Sequence, residues 1–309
     1  MVLQILILIA GLVLVVWGAD RLVDGASALA RRFGLSEFVI GLTIVGMGTS
    51  APEMVVSFIG AIQGNADISI GNVVGSNIFN TLLILGLTAL LLPMAVTPDN
   101  RKKDVPMNIL ITLLLIGLGL DGSLTRWDGA ILLAVFALYM WHSFRNGSEE
   151  ASEEDAAQEP VWKSTLFILL GLASLIFGGN FFVDSATDIA HALGVSDKFI
   201  AITILAGGTS MPELATCVVA AAKKKGQLAL GNIIGSNVFN ILLILGGSAL
   251  IHPLSFEHIT FVDLGVLLVS ALALVSAQFI GKKNKIDRLD GSLFLLIWAA
   301  YMAYLIINL

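Results

Sequence analysis

Ten long apolar stretches divide the chain, separated by short polar ones: residues 2–24, 37–62, 68–92, 105–120, 128–144, 164–186, 199–222, 228–251, 259–280 and 290–308. Apolar runs of about 20 residues predict helices that cross a membrane rather than the half-polar helices of a soluble domain. Two of the stretches, the second and the seventh, are interrupted at matching places. Gly48-Thr49-Ser50-Ala51-Pro52-Glu53 and Gly208-Thr209-Ser210-Met211-Pro212-Glu213 each set a proline, two hydroxyls and a carboxylate inside apolar sequence. Broken helices and acids at membrane depth are tolerated only where they are buried in protein or line a polar cavity.

The interruption belongs to a longer internal repeat. Residues 36–86 align without a gap to residues 196–246 at an offset of 160, and 22 of the 51 positions are identical. The strongest block is Gly71-Asn72-Val73-Val74-Gly75-Ser76-Asn77-Ile78-Phe79-Asn80 against Gly231-Asn232-Ile233-Ile234-Gly235-Ser236-Asn237-Val238-Phe239-Asn240. Each half then contains five spans. Five is odd, so the second half enters the membrane from the opposite side. Inverted repeats with breaks at matching positions mark secondary transporters, with the binding site near the midplane.

Composition agrees: 57% of the 309 residues are hydrophobic and only 13% charged, against roughly a quarter charged in soluble domains. The net charge of −6 matters less than where the cations sit. Loops after odd-numbered spans carry Arg31, Arg32, Arg101, Lys102, Lys103, Arg145, Lys163, Lys223, Lys224, Lys225, Lys282, Lys283, Lys285 and Arg288. Loops after even-numbered spans carry Arg126 and Lys198. The positive-inside rule places the odd loops in the cytoplasm and both termini outside. Between the halves, residues 146–162 hold Glu149, Glu150, Glu153, Glu154, Asp155 and Glu159, the composition of a solvated acidic linker. Asp20, Arg21 and Asp24 at the end of the first span read as snorkelling side chains at the cytoplasmic interface in preference to the lining of an entrance, and Asp184 and Asp188 as the same at the outer end of the sixth. Cys217 is the sole cysteine, so an internal disulfide is excluded. It occupies the position of Ser57 in the other half and reads as a small core residue.

Pro52 and Pro212 cannot donate to the preceding turn, so the helices should break there and free backbone oxygens. Thr49, Ser50, Thr209 and Ser210 add hydroxyls, and Glu53 and Glu213 add charge. Ser76 with Asn80, and Ser236 with Asn240, are four residues apart and share a helix face. Gly71 and Gly75 share one too, allowing close helix approach. Every donor in this set is oxygen, which suits hard cations such as calcium over zinc or copper. Two ionised glutamates balance one divalent ion or two sodium ions, but not both loads together; competition for that charge is a physical basis for exchange. Packing against neighbouring serines and asparagines could explain a single buried acid. Two acids in the same proline-broken motif point to function.

At these residues the chain resembles the sodium/calcium exchanger family of the cation/calcium antiporter superfamily, in its compact prokaryotic form. The resemblance implies a central diamond of four sites, three for sodium and one for calcium. Glu53 and Glu213 would be shared acids, and Thr49 and Thr209 would offer carbonyls to calcium. Ser50, Ser210, Ser76 and Ser236, with the carbonyls of Gly46 and Ala206, would serve sodium. The first and sixth spans would slide as a pair against an eight-helix core. Family members often carry aspartate where Asn80 and Asn240 stand, so this chain offers less negative charge and no protonatable group there.

The expectation is an all-α membrane protein: ten transmembrane helices as two inverted five-helix repeats, residues 1–145 and 163–309, with helices 2, 3, 7 and 8 broken. It would be a sodium-driven calcium antiporter of the cell membrane, without cofactor, enzymatic activity, nucleic acid or obligatory protein partner. Surrounding lipid and the ions themselves would be its only partners. The rivals are a proton- or potassium-coupled cation antiporter, a cation channel and an intramembrane aspartyl-type protease.

Overall fold

The structure is a computed structural model that describes residues 1–146, 160–194, 206–257, 259–277, 279 and 284–308. Most of the acidic linker, Lys198, Lys282, Lys283 and the start of the seventh apolar stretch lie outside the described residues.

The helices follow the apolar stretches. They are α1 Val2–Phe33, α2 Glu37–Thr49, α3 Ala51–Ile62, α4 Ala66–Leu91, α5 Asn100–Asp121 and α6 Arg126–Asn146 in the first half. In the second half they are α7 Val161–Ala192, α8 Ala206–Gly208, α9 Met211–Ala222, α10 Gly226–Ile251, α11 Phe261–Ser276 and α12 Arg288–Ile307. Among the described residues seven are long and apolar enough to cross a membrane, and eight if α2 and α3 count as one bent span; α9 and α11 are shorter apolar helices. α1 runs nine residues past the expected end at residue 24, with Ala26, Leu29 and Ala30 of the extension buried and Asp24 paired to Lys223. It stops at Gly34, whose left-handed φ of 62° closes the C-terminus.

The expected breaks in the third and eighth spans do not occur. α4 and α10 each continue as one helix, but loosen into π-helical turns at Phe79–Ile84 and Phe239–Leu245. No proline interrupts them, so the extra residue is absorbed as a bulge instead of a break. α2 carries a third π segment, Gly41–Val45. Between α2 and α3 the chain does bend, by 49°. Pro52 sits in the first turn of α3 and Pro212 in the first turn of α9, where a missing N–H costs nothing.

α4 and α10 form the centre: 72% and 94% of their apolar windows are buried, against 17–28% for the other spans. The outward faces of α1 and α7 carry exposed Leu6, Val13, Leu170 and Phe177, as expected of side chains that meet lipid. The two halves interlock. β1 (Met94–Ala95) pairs with β4 (Lys285–Ile286), and β2 (Ser123–Leu124) with β3 (Leu254–Ser255), both antiparallel. Gly86 of α4 meets Gly291 of α12, and Gly246 of α10 meets Gly129 of α6, backbone against backbone. These contacts come in equivalent pairs, one from each half.

α1 and α7 form a separate antiparallel pair. Gly11 faces Gly178, Gly18 faces Gly171, and Gly25 faces Ser164, at seven-residue steps along both helices. A Cβ on Gly18 would come within 2.8 Å of the Gly171 carbonyl oxygen. Small residues at this spacing let the backbones touch, the chief source of helix attraction where lipid is as apolar as the side chains.

α1 also packs against α2 and α9, and Lys223, directly after α9, adds an ionic tie. Its ammonium lies 2.7 Å from Asp20 and 2.6 Å from Asp24, while Arg21 pairs with Asp20 at 2.7 Å. The expected snorkelling is therefore replaced by an ion cluster between helices. Close glycine approach holds for Gly231 and Gly235, which pack on the backbone of α2 at Phe38 and Leu42. The equivalent partners of Gly71 and Gly75, residues 198–202, lie outside the described residues.

Candidate cation site

The chain bends before α3 and the helix breaks before α9, so both helices start afresh beside the buried acids. Each first turn carries its glutamate where helix N–H groups and the helix dipole favour a carboxylate. Glu53 and Glu213 are fully buried.

Each acid is held by a serine from the opposite half. Ser50 Oγ donates to Glu213 Oε1 at 2.9 Å, and Ser210 Oγ donates to Glu53 Oε1 at 3.1 Å. Ser236 Oγ stands between Glu213 Oε1 at 3.5 Å and the Gly46 carbonyl oxygen at 3.3 Å. That carbonyl also accepts from Ser50 N–H at 3.1 Å and from Thr49 Oγ1 at 3.4 Å. The second oxygens of both acids have no partner among the described residues.

Asn80 and Asn240 are fully buried in the π turns of α4 and α10. Their NH2 groups donate away, to Asn237 Oδ1 at 3.4 Å and to Asn77 Oδ1 at 2.9 Å. Their own oxygens, like Glu53 Oε2 and Glu213 Oε2, accept no hydrogen bond among the described residues. Four orphan acceptors therefore stand as two matched pairs, one carboxylate and one amide from each half. A buried acceptor without a donor costs about 1–3 kcal/mol, a deficit of the kind a cation can fill. No group of three or more His, Cys, Asp or Glu side chains gathers among the described residues. Charge at this place thus comes from the two glutamates.

The remaining expected residues are distributed around this core. Thr49 is buried and donates from Oγ1 to Asn232 Oδ1 at 3.2 Å. Ser76 is buried on α4. Thr209 is half-buried and borders a cavity of about 410 Å³, whose polar lining includes Asn180 and Asp184 of α7 and whose walls include Pro52 and Pro212. Ala206 opens α8; its side chain lies outside the described residues.

Sequence reasoning passed over four asparagines. Asn72 holds the Glu53 carbonyl at 3.1 Å and Ser57 Oγ at 3.0 Å. Its counterpart Asn232 contacts Cys217 Sγ at 3.3 Å, so Cys217 is the small buried residue expected, standing where Ser57 stands. Asn77 and Asn237 cross between the halves. All four lie in the identical blocks, and that identity was the available signal.

The family model for sodium/calcium exchanger protein matches residues 3–145 and 163–307. The chain belongs to the sodium/calcium exchanger family. It is 32% identical to sodium/calcium exchanger MaX1 of Methanosarcina acetivorans, over 97% of both chains. It is 38% identical to inner membrane protein YrbG of Escherichia coli, over 88% of this chain and 87% of that one. A solved structure of the sodium-calcium exchanger NCX_Mj, soaked with sodium and strontium ions, superposes with a TM-score of 0.87 at 36% identity, over 98% of each chain. This exchanger is accordingly a multi-pass membrane antiporter and not an enzyme.

Proposed function

We propose that this exchanger moves sodium against calcium by alternating access, at a midplane site built on Glu53 and Glu213. The observation that carries the reading is the matched set of orphan oxygens on Glu53, Glu213, Asn80 and Asn240. Calcium takes about 6–8 oxygens in irregular geometry. Those four, with the hydroxyls of Ser50, Ser210, Ser76 and Ser236 and the carbonyls of Thr49, Thr209, Gly46 and Ala206, offer enough for one calcium or for sodium ions in its place. With sodium bound, the serine hydroxyls turn from the carboxylates to the ions.

The transport unit is ten spans in two inverted repeats, residues 1–145 and 163–309. The interlocked pairs β1–β4 and β2–β3 support that symmetry. Both termini are external, and the acidic linker is cytoplasmic, in the cell membrane. α1 and α7 move as one body, in keeping with their glycine seam, and the cavity beside Asn180 and Asp184 is the approach for ions.

Purified protein in vesicles, with imposed sodium gradients and membrane potentials, tests this through calcium-45 flux. Sodium-driven calcium uptake is expected. Robust flux driven instead by potassium or protons, with none from sodium, would replace the coupling ion. With three sodium ions per calcium one charge moves in each cycle, worth about 2.3 kcal/mol per 100 mV; with two, the potential has no effect. The neutral pair Asn80 and Asn240 favours the smaller number, since two carboxylates balance two sodium ions.

A further inference from the structure

Asn77 and Asn237 lie three residues before Asn80 and Asn240, and both are buried. Each reaches into the opposite half. Asn77 Oδ1 accepts from Asn240 Nδ2 at 2.9 Å, while its own Nδ2 donates to the backbone oxygen of Asn237 at 3.1 Å. Asn237 Oδ1 accepts from Asn80 Nδ2 at 3.4 Å, while its Nδ2 donates to Thr81 Oγ1 at 2.8 Å.

An asparagine offers a cation either an attractive oxygen or a repulsive NH2, depending on which way the amide is turned. At Asn240 the choice is dictated by partners. The Asn237 carbonyl can only accept, so Asn77 must turn its NH2 toward it. Asn77 then shows its oxygen to Asn240, which must donate. The oxygen of Asn240 is left facing away from Asn77 and unpaired. At Asn80 the chain ends on a hydroxyl, which both donates and accepts, so that amide is held less firmly.

We propose that Asn77 and Asn237 are positioning residues for ion selectivity: they fix the amides of Asn240 and Asn80 so that the site presents neutral oxygens, not NH2 groups, to the cation. An aspartate at residue 240 would need no such help, because both of its oxygens accept. The inference rests on the proposed exchange site.

The test is epistasis in sodium-driven calcium-45 uptake by reconstituted protein. Asn77→Ala should raise the calcium concentration for half-maximal uptake by about 10–100-fold, the usual effect of losing a partner that orients a metal ligand. Adding Asn240→Asp should restore it to the level of Asn240→Asp alone. A purely structural role predicts no such recovery. Unchanged calcium dependence in Asn77→Ala, or a double variant as impaired as the single one, would overturn the proposal. If Asn77→Ala does not yield folded protein, Asn237→Ala with and without Asn80→Asp repeats the test; failure of both single variants to fold would make these amides structural and end the proposal. Wild-type vesicles without sodium-driven flux would instead remove the exchange reading itself.

Discussion

Ser50 Oγ lies 2.9 Å from Glu213 Oε1, although the two residues are 163 positions apart, and Ser210 repeats the contact with Glu53 at 3.1 Å. Each acid is thus oriented by the hydroxyl that precedes the other acid's helix. Ser236 adds a longer contact to Glu213 from within its own half, at 3.5 Å, but the shorter bond on each acid crosses between the halves.

Glu53→Gln and Glu213→Gln should each abolish calcium transport while the protein stays folded. The amide keeps one oxygen for the serine but removes half of the site's negative charge, and one remaining charge cannot balance a divalent ion. Near-normal calcium-45 flux in either variant would defeat the two-glutamate site.

The cross-half contact can be isolated by double-mutant cycles in thermal unfolding. Ser50→Ala and Glu213→Gln should be non-additive by about 0.5–3 kcal/mol, as expected of directly bonded groups. Ser50→Ala with Glu53→Gln should be closer to additive, since Glu53 Oε1 takes its bond from Ser210. Equal coupling in both cycles would contradict the crossed pairing.

Asn240→Asp adds a third carboxyl to a site that has two. Transport should change its pH dependence relative to the wild type and, if the extra charge recruits a further sodium ion, gain a response to membrane potential. Flux at stepped pH and voltage measures both. An unaltered profile would place residue 240 outside the site.

Gly18→Val should separate α1 from α7. Its side chain would meet the Gly171 carbonyl oxygen and the Leu175 backbone nitrogen, backbone atoms that cannot move aside as a flexible side chain would. A cost of about 1–3 kcal/mol is expected from overpacking, with slowed exchange because the pair no longer moves as a unit. Measurements of thermal stability and turnover would detect these effects; a variant as stable and as fast as the wild type would disprove the seam.

Lys223→Gln should loosen α1 from the end of α9. Partial burial disfavours the ammonium, but hydrogen bonds and attraction from Asp20 and Asp24 outweigh that and hold its pKa above the ordinary 10.5. The contribution is therefore complete below pH 10.5 and lost as pH rises through the elevated value. The substitution should cost about 1 kcal/mol at most for so exposed a cluster, nearly constant between pH 7 and 9. A loss that varied steeply across that range would assign the titration to another group.

Much of this exchanger was legible before any coordinates. Apolar run lengths located the helices, because a bilayer demands both length and hydrophobicity. The duplicated Gly-Thr-Ser-x-Pro-Glu motif located the helix breaks at Ser50 and Ser210, because proline acts on its own turn. These features are local, and local chemistry is written directly in the order of residues. Tertiary structure decided the rest. It turned the expected breaks in α4 and α10 into π turns, gave Asp20 and Asp24 to Lys223, zipped α1 to α7 through glycines, and aimed the oxygens of Asn80 and Asn240 by way of Asn77 and Asn237. Each depends on which atom of a distant segment comes within hydrogen-bond or van der Waals reach, a relation between faces that no spacing along one chain can state.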